Sequence, residues 1–480
     1  MTAAKGPEPK KKAKTPIFQK TKKRLDVSVQ AVIDNMVFSK KEVWAYYKIS
    51  PDMFEFLSSA VQISNGAKVT AAFTSLVENR KDPLELHFIT TSTPIDVEAW
   101  YAQVESVVSD WEGNTPAFID FMDQMADHLK SEEYANRVAY IGINLGNRGA
   151  LNFSKLNPIE SGFRAAWENV TEWVNNITKS FDGDITFSEE KEFRQKADKY
   201  TSLMRTGALR GVPITSEEIM LLIKRQLYPA MPAPYLDVDH DRRWGAGDLE
   251  LETASVIRNK FRWLEITQLI GGRELTGYRA ALSLTKFSRN TYYPHTAFPF
   301  LYMPQMLMGL PFTTYARVKL LPNEKMRKEI EKKRKEQADQ IKNKQGGNGK
   351  SSAESAVEDN SRMETDMQDL SDLDRETSQD KTPWVEGSYR VVIETASERA
   401  MRDIVAALKQ RYSESDINSV LSSGDQLDLF LEQMPGDHTR VNSFRQLTNL
   451  HHLSTSGFNI SSDVGDRIWD RTMMEENNGD

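Results

Sequence analysis

The feature that most constrains the fold is an acidic stretch lying between two strand-rich segments. Ser351–Asp380 contains ten Asp or Glu residues against two Arg and has no aromatic residue. Such a composition cannot bury enough apolar surface to offset the entropy lost when the chain is ordered. We therefore predict that residues 346–381 are a disordered acidic linker. The patterns on both sides predict one α+β domain, 213–345 with 382–466, which this linker interrupts.

Alternation of apolar and polar residues predicts the strands of this domain. Two extended segments meet at Gly271-Gly272, a strong turn signal. The predicted extended segments are 249–269, 274–287, 311–321, 388–395 and 416–421. Thr215 with Glu218 three residues later forms a capping-box pattern that starts a helix through Leu227. Further helices are predicted at 323–344 and 398–412.

Residues 26–150 predict an N-terminal α/β unit of ordinary domain size. Its predicted strands are 27–33, 43–47, 84–91 and 137–143, and its predicted helices start at Pro51, Asp96 and Pro116. Residues 151–212 predict a helical hairpin from patterns at 161–181 and 187–210, with Trp167 and Trp173 in its core. The expected fold class is therefore α+β, with mixed sheets and packed helices.

Residues 1–25 are predicted to be a disordered basic tail, and residues 467–480 a second disordered tail. Such a basic tail is equally typical of a solvated arm and of a contact with nucleic-acid phosphate or anionic lipid. The candidate phosphate or lipid contacts are Lys10, Lys11, Lys12, Lys14, Lys20, Lys22, Lys23 and Arg24.

Composition excludes several kinds of site. The 480-residue chain has no cysteine, which excludes disulfides, thiolate metal sites and cysteine catalysis. No apolar run approaches the roughly 20 residues that a membrane helix needs. A charged fraction of 27% and a hydrophobic fraction of 39% are ordinary for a soluble protein.

Short motifs that resemble known sites lack their essential partners. Asp237–Asp241 resembles a calcium loop, but Arg242 and Asp248 occupy the positions that need Gly and a bidentate Glu. Ser283–Lys286 matches S-x-x-K, yet its companion elements are absent and the tetrad falls in a predicted strand. Gly142, Gly146 and Gly149 do not have dinucleotide-binding spacing and are expected to shape a turn after a strand. No catalytic, cofactor or metal residue is predicted.

Several ordered segments resemble the TraC/TrbE/CagE-type ATPases of type IV secretion, in particular those of Gram-positive conjugative elements. Their order and spacing carry the likeness, since none is a catalytic motif. The segments are Thr215–Ile219, Ile223–Arg225, Lys260–Leu264, Glu274–Ala280, Gly309–Phe312, Asp380–Trp384, Gly424–Asp428, Met434–Asp437 and Gly457–Asp466.

The resemblance implies a region that precedes a RecA-like motor and docks it on the membrane channel. Expected partners are channel components, the motor domain and other copies of the chain, at the inner face of the cell membrane. ATP and Mg²⁺ are expected only in the motor. A phosphate loop needs G-x-x-x-x-G-K-[ST], but Lys344 takes the first glycine position before Gly349-Lys350-Ser351. We therefore expect this chain alone to be non-catalytic, as a fragment or one half of a split protein.

Overall fold

The computed structural model describes residues 28–50, 57–94, 124, 135–148, 185–231, 243–244, 256–287, 299–335 and 382–460, with short gaps inside several of these ranges. Several predicted segments lie outside the described residues. They are the basic tail, the helices starting at Asp96 and Pro116, the first arm of the helical hairpin with its Trp residues, Asp237–Asp241, the acidic linker and the C-terminal tail.

The described strands form one sheet of 13 strands in which every described pairing is antiparallel. The main path runs β1-β2-β3-β5-β4-β10-β11-β9-β8-β7. The strands are β1 Val29–Ile33, β2 Met36–Ser39, β3 Glu42–Ile49, β4 Leu84–Pro94, β5 Ala135–Asn147, β6 Val212–Pro213, β7 Val256–Asn259, β8 Leu264–Ile270, β9 Arg273–Lys286, β10 Thr313–Leu321, β11 Trp384–Thr395, β12 Asn418–Leu421 and β13 Gln446–Asn449. With the helices below, the α+β class is confirmed.

The sheet is continuous across the two predicted domains. β10 pairs with β4 of the N-terminal unit on one side and with β11 on the other. Leu321 at the end of β10 lies opposite Trp384 at the start of β11, so the long segment between them connects antiparallel neighbours. The boundary predicted near residue 213 therefore does not coincide with a break in the sheet.

The helices begin and end at sequence signals that are largely local. Thr215 caps its helix by accepting a hydrogen bond from the Glu218 amide at 3.2 Å, and Ser397 does the same for the Ala400 amide. The helices are α1 Ser59–Val77, α2 Phe187–Thr206, α3 Ser216–Arg225, α4 Met303–Met308, α5 Glu398–Glu414, α6 Gln426–Gln433 and α7 Leu450–Ser454.

The two faces of the sheet differ in chemistry because side chains alternate along each strand. One face is apolar and packs against α1, α2, α5 and α7 through residues such as Phe73, Ala197 and Leu408. Burial of this large apolar surface is the main stabilising contribution to the fold.

The opposite face carries buried arginines on three adjacent strands. Arg279, Arg317 and Arg390 on β9, β10 and β11 are each at most 5% exposed. α6 and the loop 434–445 lie across this face, and Arg317 donates to the carbonyl oxygens of Glu432 at 3.0 Å and Met434 at 3.2 Å. This packing therefore combines hydrogen bonds with apolar contacts, in which Leu429 packs with Ala281 and Phe430 with Ile266.

The same loop reaches the N-terminal strands. The Gly436 amide donates to the hydroxyl of Tyr46 at 2.8 Å, and Ser39 donates to the Gly436 carbonyl. Gly436 has φ of 79°, and a Cβ there would press on Val37, so glycine is required for this close approach. The loop thereby binds a strand that lies 390 residues before it in sequence.

Three local predictions were wrong. Residues 36–39, predicted as part of a connection, form β2, which separates β1 from β3. The first helix, predicted to start at Pro51, begins at Ser59 with Ser58 as its N-cap. Gly142 and Gly146 lie inside β5 rather than in a turn after it, and Gly142 leaves room for the ring of Tyr46.

His87 on β4 is fully buried and makes folding pH-dependent. The Tyr46 hydroxyl accepts from the Gly436 amide and lies 3.0 Å from Nδ1 of His87. Nδ1 is the acceptor that the described residues offer to the hydroxyl proton, so Tyr46 donates to His87. Burial, aided by the charge of Arg317, holds the pKa of His87 well below its usual 6.5.

We predict that this histidine destabilises the protein as the pH falls below about 6.5. In that range the unfolded chain binds a proton that the folded chain does not, so stability decreases with falling pH. In His87→Gln, whose amide oxygen still accepts from Tyr46, the decrease should be shallower by up to roughly 1.4 kcal/mol per pH unit. Urea unfolding from pH 7 to pH 5 measures this, and parallel curves for both proteins would contradict it.

Candidate docking surface

The β7–β9 end of the sheet extends beyond its neighbours. The pairing of β9 with β11 ends at Tyr278 opposite Thr395, while β9 continues to pair with β8 as far as Arg273. β7 pairs only with β8 and is an edge strand among the described residues. We call β7, β8, their connecting turn and residues 273–279 of β9 the wing.

Local sequence explains why the wing forms and where it packs. Gly272 adopts φ of 78° in the β8–β9 turn, a conformation that favours glycine. Gly277 lies against the carbonyl oxygen of Pro229, where any Cβ would overlap it. Ile266 on this side packs with Leu227 and Phe430, so one face of the wing is anchored to α6 and the segment after α3.

The wing holds a disproportionate share of the exposed apolar side chains. Of the nine large apolar residues that are exposed in the described part of the chain, four belong to the wing. They are Val256, Phe261, Leu269 and Leu275, and Phe261 is the most exposed of the nine at 64%. Apolar exposure gathered at one end of a sheet is typical of an interaction surface rather than of scattered surface residues.

Phe261 is held in a strained conformation by defined hydrogen bonds. Its φ is 75°, in the left-handed region that costs a bulky residue roughly 1–2 kcal/mol. Its amide donates to Oδ1 of Asn259 at 3.0 Å, and its carbonyl accepts from the amide of Gly424 at 2.7 Å. These hydrogen bonds hold Phe261 in its strained conformation. Burial of the ring contributes little, because the residue is mostly exposed. Strain of this kind occurs preferentially at functional sites.

Cationic residues lie close to Phe261 in the chain. Arg258 and Lys260 lie 2.8 and 3.1 Å from the carboxylate of Glu265, and these contacts, the hydrogen bond from Arg258 first, lower the pKa of Glu265. Arg262 beside the ring is exposed, and Arg402 of α5 lies 5.6 Å from the ring centre of Trp263. The turn therefore presents an aromatic side chain within a mostly positive rim.

These features fit protein docking better than chemistry on a small molecule. An open edge strand offers free backbone groups to which an extended partner segment can add as a further strand. An exposed aromatic residue flanked by arginines is a common energetic centre of protein interfaces. Among the described residues, no group of three metal-binding side chains is present.

A cleft lies where β4, β10 and β11 meet. It has a volume of about 830 Å³, and four of its charged lining residues form two ion pairs. Lys319 lies 2.6 Å from Glu85, and Arg445 lies 3.4 Å from Glu386. No polar group in this cleft points to a particular ligand, so the wing remains the stronger candidate.

The residues predicted as sites from sequence are only partly placed. The eight candidate phosphate or lipid contacts, from Lys10 to Arg24, lie outside the described residues, so their role stays a prediction. Ser283 and Lys286 of the S-x-x-K match lie on β9, as the strand pattern predicted, and Ser283 is fully buried. Sequence reasoning did not single out Phe261 as a candidate site residue, although its position between Lys260 and Arg262 was a usable signal.

The segments that carry the family resemblance meet in space. Phe261 contacts Gly424 through a backbone hydrogen bond, and Leu264 on β8 pairs with Arg279 on β9. The Met434–Asp437 segment follows α6 directly and crosses to the N-terminal strands. Four segments separated along the chain thus form one continuous region that includes the wing.

The chain matches no protein-family model and no curated protein.

We predict that Phe261→Gly leaves folding stability unchanged or raises it by up to about 1 kcal/mol. Glycine relieves the left-handed strain, and little buried apolar area is lost because the ring is mostly exposed. Chemical denaturation of both proteins measures the difference. A loss of more than about 1 kcal/mol would show that the ring stabilises the fold and would remove the case for a docking role.

Proposed function

We propose that this chain is a non-catalytic docking and assembly region of a type IV secretion ATPase of the conjugation type. The wing is the surface that engages a second protein. The observation that carries this proposal is the exposed Phe261 ring on a strained, braced turn beside an open edge strand. The ordered resemblance of the surrounding segments supplies the class of system.

The proposed partner is the motor domain or a component of the membrane channel, with other copies of the chain as a further partner. In the docked state an extended segment of the partner pairs with β7, and the Phe261 ring enters an apolar pocket. Burying a phenylalanine ring contributes roughly 2 kcal/mol, and the cations at the rim favour an acidic partner surface. The hydrogen bond between the Gly424 amide and the Phe261 carbonyl connects the β7–β8 turn to α6, so docking at the turn affects the position of α6 and of the sheet.

Binding of the purified chain to the purified motor ATPase of the same transfer system tests this. We expect Phe261→Asp or Leu269→Asp to weaken binding by about tenfold or more, because each places a charge in the apolar centre of the interface. Val61→Asp is the matched control, since Val61 is an exposed apolar residue on α1, away from the wing. Isothermal titration calorimetry gives the three dissociation constants.

Two outcomes would contradict the proposal. Equal weakening by the Val61 control would show that binding does not depend on the wing. Unchanged binding in both wing variants would place the interface elsewhere. In the proposed role the chain alone hydrolyses no ATP, because ATP and Mg²⁺ bind the motor, so steady hydrolysis by the purified chain would also contradict it.

The basic tail gives a second candidate function, which is binding to DNA or to an anionic membrane surface. Nine Lys or Arg residues between Lys5 and Arg24 favour it by charge alone. No helix in the described part of the chain is long and apolar enough to cross a membrane. In this second function, the basic tail attaches the chain peripherally to the inner face of the cell membrane. Deletion of residues 1–25 should abolish salt-dependent binding to DNA or liposomes, and unchanged binding would rule this function out.

A further inference from the structure

The buried guanidinium of Arg390 lacks the partners that a buried charge needs. Arg390 lies on β11 beneath the loop 434–445 and is fully buried. Its Nη1 donates to the carbonyl of Tyr389 at 3.1 Å, but Nε and Nη2 have no hydrogen-bond partner. No carboxylate of the described residues forms an ion pair with it. A buried charge without a counter-charge destabilises a fold by several kcal/mol.

The surrounding charges do not compensate for Arg390. Around Tyr315, which lies opposite Arg390 on β10, three buried guanidiniums face two carboxylates. The guanidiniums are those of Arg279, Arg317 and Arg390, and the carboxylates are Glu394 and Glu432. Arg225 adds further positive charge beside Glu394. The buried face therefore has at least one positive charge in excess.

Two unpartnered hydroxyls lie beside this guanidinium. Ser283 on β9 is directly opposite Arg390, where Cβ atoms of paired residues are about 4.5–5.5 Å apart. Ser388 precedes Arg390 by two residues and lies on the same face of β11. The Oγ atoms of both serines are buried without a hydrogen-bond partner. The ring of Phe444 covers the guanidinium from the other side, 5.5 Å from it.

We propose that Arg390, Ser283 and Ser388 form a buried site for a small monovalent inorganic anion, of which chloride is the representative. Nε and Nη2 of Arg390 and the two serine hydroxyls provide four donor atoms for one acceptor. A single anion also offsets the excess positive charge. A buried water molecule would satisfy hydrogen bonds but would leave that charge in place, which favours the anion over water.

Crystals of the full chain grown or soaked in sodium bromide test the site directly. Bromide replaces chloride and scatters anomalously. The expected result is an anomalous peak within hydrogen-bond distance of Nε or Nη2 of Arg390. A water molecule there without anomalous signal overturns the proposal, and a bromide seen only on the protein surface overturns it equally.

Thermal unfolding in sodium chloride and in sodium gluconate at equal ionic strength gives an independent test. Chloride that binds only the folded chain should raise the Tm in a saturable manner, whereas gluconate is too large to enter. Ser388→Ala should require about tenfold more chloride for the same rise, which corresponds to one hydrogen bond to an ion. Arg390→Met should abolish the rise.

The matched control is Arg402→Met, because Arg402 is an exposed arginine on α5, which packs on the opposite, apolar face of the sheet, and it contacts Trp263. It should retain the full chloride response. An equal response in wild type and Ser388→Ala, or loss of the response in Arg402→Met, contradicts the assignment. The crystallographic test and the serine variant decide the question even if Arg390→Met does not fold.

Discussion

The structure depends on how the arginine-bearing face of the sheet is covered. Guanidiniums cannot be buried against apolar side chains without a large loss of stability, so this face needs acceptors. For Arg317, the end of α6 supplies the carbonyls of Glu432 and Met434, where the helix dipole is negative, and for Arg279 it supplies the side chain of Gln433. The same hydrogen bonds fix the position of the cover, which is α6 with the loop 434–445, more specifically than apolar contact alone would. The sheet and its cover are therefore stable only together.

The position of the cover links distant parts of the chain. Gly424, just before α6, holds the backbone of Phe261 in its left-handed conformation, and Gly436, just after it, is bound by Tyr46. The same short segment thus braces the proposed docking turn and clamps the N-terminal strands. A partner that binds the wing would act on the core of the protein through this segment. The proposed anion site lies beneath α6 and the loop 434–445. A bound anion there reduces the free-energy cost of burying the arginine-bearing face.

Much of the architecture could be predicted from the sequence because the responsible signals are local. The caps at Thr215 and Ser397, the turn at Gly272 and the alternation along β11 depend on residues a few positions apart. β2 was missed because four consecutive buried residues show no alternation. The continuity of the sheet was also missed, since the pairing of β4 with β10 joins residues more than 200 positions apart and leaves no local pattern.

The functional features were harder to predict, for a related reason. The strain at Phe261 depends on Gly424, about 160 residues away, and the lack of a partner for Arg390 depends on which strands lie beside β11. Neither is a property of a short motif. The proposed class of system follows from the resemblance of ordered segments to conjugation ATPases, and that resemblance does not identify which surface would do the docking.

The central claim is that one sheet and one polar cover form a single cooperative unit. Native-state hydrogen exchange in low concentrations of denaturant tests it most directly. The account predicts that the slowest amides of β3, on the N-terminal side, and of β9 and α6 open with one common free energy. If the β3 amides open at a clearly different free energy from those of β9, the two halves unfold separately and the clamp does not unite them.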